Sequence, residues 1–135
     1  MSVNLGNQVD LVGYDVERRE AIAGDTVRLT LFWRAREEIG EDYTVFTHLA
    51  DAEGHIWAQD DSYPVDGDYP TSFWSVGEVV RDEYELALPS DVPAGEYEIE
   101  VGLYLGSSGV TLPVLDDAGQ VLHNRILLDT VVVTD

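Results

Sequence analysis

Cysteine is absent from the chain, which excludes a disulfide framework, a zinc–thiolate centre and a thiol nucleophile. Lysine is absent as well: the seven basic residues are all arginine and face 27 Asp and Glu, for a formal net charge of −20. A surface so acidic repels phosphate backbones and anionic headgroups, which argues against nucleic acid and lipid surfaces as partners. Long apolar runs are missing too, so this chain is not expected to insert into a membrane. The first residues, MSVNLGNQVD, lack the basic and then apolar pattern of a secretion signal. No segment keeps a helical period over three turns. Nor is there a G-x-S-x-G elbow, a phosphate-cradling glycine loop or a cysteine–histidine pair, and no enzyme or cofactor is expected.

What remains is a chain of 135 residues with 44% hydrophobic content, enough for one folded domain over residues 1–135 and too apolar for disorder. It reads as a monomer and as a piece cut from a larger protein. Its carboxylates are spread along the chain, which favours solubility or a salty or hot milieu over specific cation capture. Val27, Leu29, Leu31, Trp33 and Ala35 alternate with Arg28, Thr30 and Arg34, with Phe32 as the exception on the polar face. Tyr97, Ile99, Val101, Leu103 and Leu105 alternate with Glu96, Glu98, Glu100, Gly102 and Tyr104. Both patterns are half-buried strands. Further strands are expected over residues 9–16, 43–50, 55–60, 79–88 and 126–133, with a shorter one at 110–115. Turn signals punctuate them at Gly24, at Asp51-Ala52-Glu53-Gly54, around Pro93-Ala94-Gly95, at Gly106 to Gly109 and at Asp116-Asp117-Ala118-Gly119. The expected fold class is all-β, an antiparallel immunoglobulin-like β-sandwich of about seven or eight strands.

The stretch FTHLADAEGHIWAQDD concentrates two histidines, four carboxylates and a tryptophan. Asp51 to Gly54 has the form of a type I turn closed by a glycine with positive φ, so Asp51 is read as a turn former and the stretch as a hairpin. The same device recurs at Asp116 to Gly119. His48, His55 and His123 lack metal-ligand spacing, and no metal site is assigned. Asp60, Asp61, Asp66 and Asp68 crowd the loop DDSYPVDGDYP but miss the Ca-loop pattern, because Gly67 separates Asp66 from Asp68. Calcium dependence through them is left open beside a solvated loop.

Aromatic residues offer a sharper site. Trp57 is expected to face outward if Ile56 and Ala58 face the core, and Tyr63, Tyr69, Phe73 and Trp74 crowd the loop that follows. Exposed rings flanked by carboxylates and amides stack on neutral sugars, which makes Trp57, Tyr63, Tyr69 and Trp74 the candidate ligand-binding residues. The competing reading folds Phe73 and Trp74 back as a lid over one end of the sandwich. Paired carboxylates would suit a small glycan-acting hydrolase. The ladder Glu96, Glu98, Glu100 reads more simply as a solvated face.

The segments VNLGNQVDLVGYDV, AGDTVRLTLFWRA, DYTVFTHLADAEG, QDDSYPVDGDYPTSFWSVGEVV and VPAGEYEIEVGLYLG together resemble a domain recurrent in GC-rich bacteria. That domain is a C-terminal, non-cytoplasmic appendage of multi-pass membrane proteins similar to dolichyl-phosphate-mannose-type glycosyltransferases. The resemblance spans about residues 3–133. It implies an accessory β-sandwich on the outer side of the cytoplasmic membrane, with no catalytic residues and with any transferase activity residing elsewhere. The expected function is therefore a non-catalytic accessory or interaction domain of a cell-envelope protein. Its expected partners are glycans or other domains of the parent, and a carbohydrate-binding module is the narrower alternative.

Overall fold

Alternation of apolar and polar residues runs through most of the chain, and in the computed structural model, which describes Met1 to Asp135, it forms eleven strands in two sheets. The six-stranded sheet has the order β10-β9-β1-β2-β4-β7. Its strands are β1 (Val3–Leu5), β2 (Val9–Val16), β4 (Thr26–Ala35), β7 (Val79–Ala87), β9 (Val114–Leu115) and β10 (Val121–His123). The five-stranded sheet, β3-β11-β8-β5-β6, comprises β3 (Glu20–Ile22), β5 (Tyr43–Ala50), β6 (Ile56–Gln59), β8 (Gly95–Leu105) and β11 (Ile126–Thr134). The one departure from coil and strand is a short 3-10 turn, Thr71–Phe73, and no helix is long and apolar enough to cross a membrane.

The all-β sandwich is as the alternation predicts, but the strand number is not seven or eight. The additions are β1, β3 and β10, each three residues long and so too short to display a period. Nor is every pair antiparallel, because β3 runs parallel to β11, with Val132 opposite Glu20. One cluster of 29 buried residues fills the space between the sheets, with Trp33, Leu31, Leu49, Ile99 and Leu103 fully enclosed. Phe32 does lie on the polar face of β4, where Gly13 on β2 leaves room for its ring. At the start of β8 the Tyr97 hydroxyl donates to the Pro93 carbonyl at 2.6 Å, the tyrosine-corner arrangement of Greek-key sandwiches.

Asp82 breaks the apolar pattern of β7 yet is fully buried. Its carboxylate accepts from Trp33 Nε1 (3.1 Å), the Tyr84 hydroxyl (2.6 Å) and the Val65 amide (2.8 Å). Burial pushes the Asp82 carboxyl up, against these three hydrogen bonds, and burial with the neighbouring Asp82 charge raises Tyr84 as well. A buried carboxylate is tolerable only with partners of this number. The third partner matters most for the fold, because Val65 and Asp66 sit at φ 57° and 54°. Left-handed backbone costs a β-branched residue roughly 1–3 kcal/mol, so the loop adopts it only under restraint.

The two aspartates preceding the loop lie on opposite sides of an extended chain that continues pairing with β5. Asp60 Oδ2 accepts the Glu85 amide of β7 (2.9 Å), while Asp61 Oδ1 accepts the Thr47 amide of β5 (3.4 Å). Asp82→Ala strands a buried indole N–H, a hydroxyl and an amide, and should lower stability by roughly 2–4 kcal/mol in urea unfolding. A loss below about 0.5 kcal/mol would show that the carboxylate does not restrain the loop.

Candidate functional site

The aromatic residues picked out from the sequence do not form one platform. Trp74 is 3% exposed, and its indole N–H donates to the Tyr69 carbonyl at 2.9 Å. It belongs to the core and presents no ring to a ligand, which corrects the expectation for Trp74. Tyr69 is half-buried, its hydroxyl donating to Glu78 Oε1 at 2.7 Å. Thr71, fully buried, donates to the Glu41 carbonyl and accepts the Tyr43 amide. These bonds brace the loop as a cover, so the lid reading holds for Trp74. It fails for Phe73, which stands 65% exposed.

Tyr63 is exposed, but Trp57 lies beside the Ala50 end of β5, whereas Ser62 pairs with Val45. Six residues of extended chain, about 20 Å, therefore separate Trp57 from Tyr63. Trp57 is itself half-buried, its N–H donating to Asp51 Oδ2 at 3.0 Å and its ring edge on His55. Asp51 is the turn former expected. Its Oδ1 accepts the Glu53 and His55 amides, Gly54 takes φ 83°, and Asp116 repeats the arrangement with Ala118, Gln120 and Gly119.

The acidic loop does not gather a cation-binding set. Asp60 and Asp61 face different sheets, Asp66 and Asp68 are exposed, and no three His, Asp or Glu side chains converge at metal-binding distance anywhere in the chain. Asp60, Asp66 and Asp68 instead line a trough of about 1090 Å³ over β4 and β7. Its arginines are spent on neighbouring carboxylates: Arg28 on Glu17 and Glu85, Arg81 on Glu83. It is a solvated charge ladder.

A smaller cleft of about 400 Å³ on the outer face of the five-stranded sheet has a different character. Along β5, Thr44, Phe46 and His48 point away from the core residues Val45 and Leu49. Their register partners on β8 are Tyr104, Gly102 and Glu100. A Cβ at Gly102 would run into the Phe46 ring, so the missing side chain lets Phe46 lie flat across the strand. The ring leans on His48 and Tyr104, with centroids 5.0 and 6.2 Å away. Around this aromatic floor stand Asp61, Thr111, Asn124 and Arg125. Thr111 bridges to Tyr104 where β11 has ended, so the walls come from the two chain segments that flank β8.

The polar groups of the cleft are placed and partly free. Arg125 Nε donates to Glu100, which lies almost buried beneath it, so the expected solvated ladder holds for Glu96 and Glu98 and not for Glu100. Arg125 Nη1 donates to Asn124 Oδ1 at 3.3 Å, which turns the Asn124 amide N–H₂ outward. The Tyr104 and Thr111 hydroxyls line the cleft without a hydrogen bond to another side chain. Asp61 faces His48 Nε2 at 3.7 Å, and burial raises its carboxyl against the pull of His48. The arrangement offers an aromatic surface ringed by donors and one carboxylate acceptor, in the size range of small-ligand sites.

No family model matches the chain, and no curated protein matches it. Among solved structures the fold is shared with the C-terminal domain of Wzt, at a TM-score of 0.65 and 15% identity over 98% of this chain and 76% of that one. A β-glucuronidase of glycoside hydrolase family 2 aligns at a TM-score of 0.49 and 14% identity, over 77% of this chain and 11% of that one, too weakly to bear on the site.

Two measurements check these assignments. Gly102→Ala should evict the Phe46 ring and cost roughly 1–3 kcal/mol, read by denaturant unfolding; pairing it with Phe46→Ala should recover part of that loss. The Trp57 hydrogen bond, above all, holds the Asp51 carboxyl below its ordinary 3.8. A depressed native pKa makes this contribution present above the ordinary value and lost as pH falls through the lower one. Tryptophan fluorescence should accordingly change below pH 3.8 in the native protein, and Asp51→Asn should abolish that step.

Proposed function

We propose that the chain is a non-catalytic accessory domain of a larger extracytoplasmic, cell-envelope protein, and that it binds a glycan in the cleft over Gly102. The observation that carries this reading is the convergence of Phe46 and Tyr104 with the unspent donors of Asn124 and Arg125 and the acceptor Asp61. Sugars present apolar ring faces and hydroxyl edges together, and such a site answers both. The fold shared with a domain that is itself the C-terminal part of Wzt supports an appended module. Membrane attachment through a glycosyltransferase-like parent belongs to the same proposal.

A glycosidase needs a proton-donating carboxyl and a second carboxylate about 5–9.5 Å apart across the bond. Glu100 is capped by Arg125, which leaves Asp61 alone in the cleft. In the charged trough Glu83 and Glu85 are exposed and paired with arginines, the opposite of the apolar setting that keeps a general acid protonated. Both arrangements favour binding over hydrolysis.

A nitrogen–proton NMR titration with neutral oligosaccharides should move the amides of Phe46, Tyr104, Asn124 and Arg125. Tyr104→Ala should weaken that binding roughly fivefold, about 1 kcal/mol, while leaving the unfolding midpoint nearly unchanged. Movement centred on Trp57 and Tyr63, or none with any sugar, would refute the assignment.

A further inference from the structure

The carboxylates are unevenly placed around the cleft. Of the 27 Asp and Glu, only Asp116 and Asp117 fall within residues 101–128, the stretch that supplies Tyr104, Thr111, Asn124 and Arg125. Both belong to the tip of the β9–β10 hairpin. One side of the cleft is therefore poor in carboxylates in a molecule of formal charge −20. Its single arginine, however, is not a free cation. Glu100 holds Arg125 from below through Nε, and Asn124 holds it from the side through Nη1. Glu100 is 9% exposed, so the two charges cancel at close range beneath the floor.

What faces a ligand is then a neutralised guanidinium edge, the Asn124 amide and the half-buried carboxylate of Asp61. That carboxylate accepts the Thr47 amide through Oδ1 at 3.4 Å, and His48 Nε2 stands 3.7 Å from the same oxygen. A hydroxyl pair suits this set, donating to Asp61 and accepting from Asn124 or Arg125. A ligand carboxylate or phosphate meets Asp61 with no free arginine or lysine to offset it, His48 beside Asp61 being the one titratable nitrogen at hand, and like charges a few ångströms apart in a half-buried site repel strongly.

We infer that the cleft discriminates by charge, taking uncharged sugars and rejecting uronates and sugar phosphates, with Asp61 as the repelling group and Glu100 as a positioning residue that cancels Arg125. This rests on the glycan-binding reading and adds the chemical class. Without Glu100 the same arginine becomes an anion anchor, so one buried carboxylate sets the sign of the site.

Matched pairs test it: mannose oligomers with mannuronate oligomers, galactose with galacturonate, and glucose with glucuronate, each titrated at fixed salt against the cleft amides. In any pair that binds, the neutral member should bind at least about tenfold tighter, the scale of one unfavourable close charge contact at intermediate dielectric. Glu100→Gln, freeing Arg125, and Asp61→Asn, removing the repulsion, should each shift the acidic-to-neutral affinity ratio about tenfold toward the acidic member. The Asp61→Asn arm stands by itself if loss of Glu100 unsettles the sheet. Equal or tighter binding of the acidic member by the unaltered protein, or a ratio that Asp61→Asn leaves unchanged, overturns the charge inference and leaves glycan binding standing. Silence of the cleft amides toward every sugar overturns both.

Discussion

The carboxylate of Asp82 is the constraint on which the rest of this architecture depends. It joins β4 through Trp33, β7 through Tyr84 and the backbone of the loop between β6 and β7 through Val65 in one buried knot. A buried charge of this kind contributes little net stability, since desolvation offsets much of what its partners return. Its effect is geometric. Pairing Leu31 with Asp82 fixes where β7 lies on β4, and holding the Val65 amide keeps two non-glycine residues in left-handed conformation. Asp60 guards the open edge of β7, while Asp61 is placed by the pairing of its neighbours Asp60 and Ser62 with β5. The cleft wall at Asp61 is thus an extension of the β5–β6 ladder, beside the loop that Asp82 holds.

The opposite sheet supplies the floor by omission. From Glu96 to Leu105 β8 has a side chain at every position except Gly102, and that gap lets Phe46 turn flat against the strand. An ordinary outward-pointing ring would block the cleft that a flattened one floors. Arg125, arriving where β10 hands over to β11, then covers Glu100 and closes the far side. Four separate features converge here, each for a local reason: an alternating strand, a glycine, the ladder continued past β6 and a crossover between sheets.

Strands with long alternation were legible residue by residue: β2 and β5 match the expected bounds of 9–16 and 43–50. β1, β3 and β10 were not, because three residues carry no period; β3 is moreover defined by a distant partner, β11, whereas β1 and β10 pair with their chain neighbours β2 and β9. The Asp51 and Asp116 turns were legible because their chemistry is local, each carboxylate bonding amides two and four residues ahead. The site was less so. Trp74 and Tyr69 look available as aromatic residues in an acidic loop, yet packing claims one and Glu78 the other. His48 and Asp61 drew notice for metal chemistry and matter through their position in the cleft. Tyr104, Asn124 and Arg125 went unmarked. Their signals were a glycine inside the most regular strand and the carboxylate-poor run of residues 101–128, and both acquire meaning once β8 and β5 are set side by side.

The fold is shared with the C-terminal domain of Wzt, and the proposed role turns on whether the cleft takes a sugar. The most direct measurement is a set of intermolecular NOEs between the labelled domain and a neutral oligosaccharide drawn from the binding panel. Sugar ring protons should contact the Tyr104 and Phe46 rings, with the hydroxyl edge toward Asp61 and Asn124. Contacts confined to Trp57 and Tyr63, or to the charged trough over β4 and β7, would contradict the cleft as the binding site.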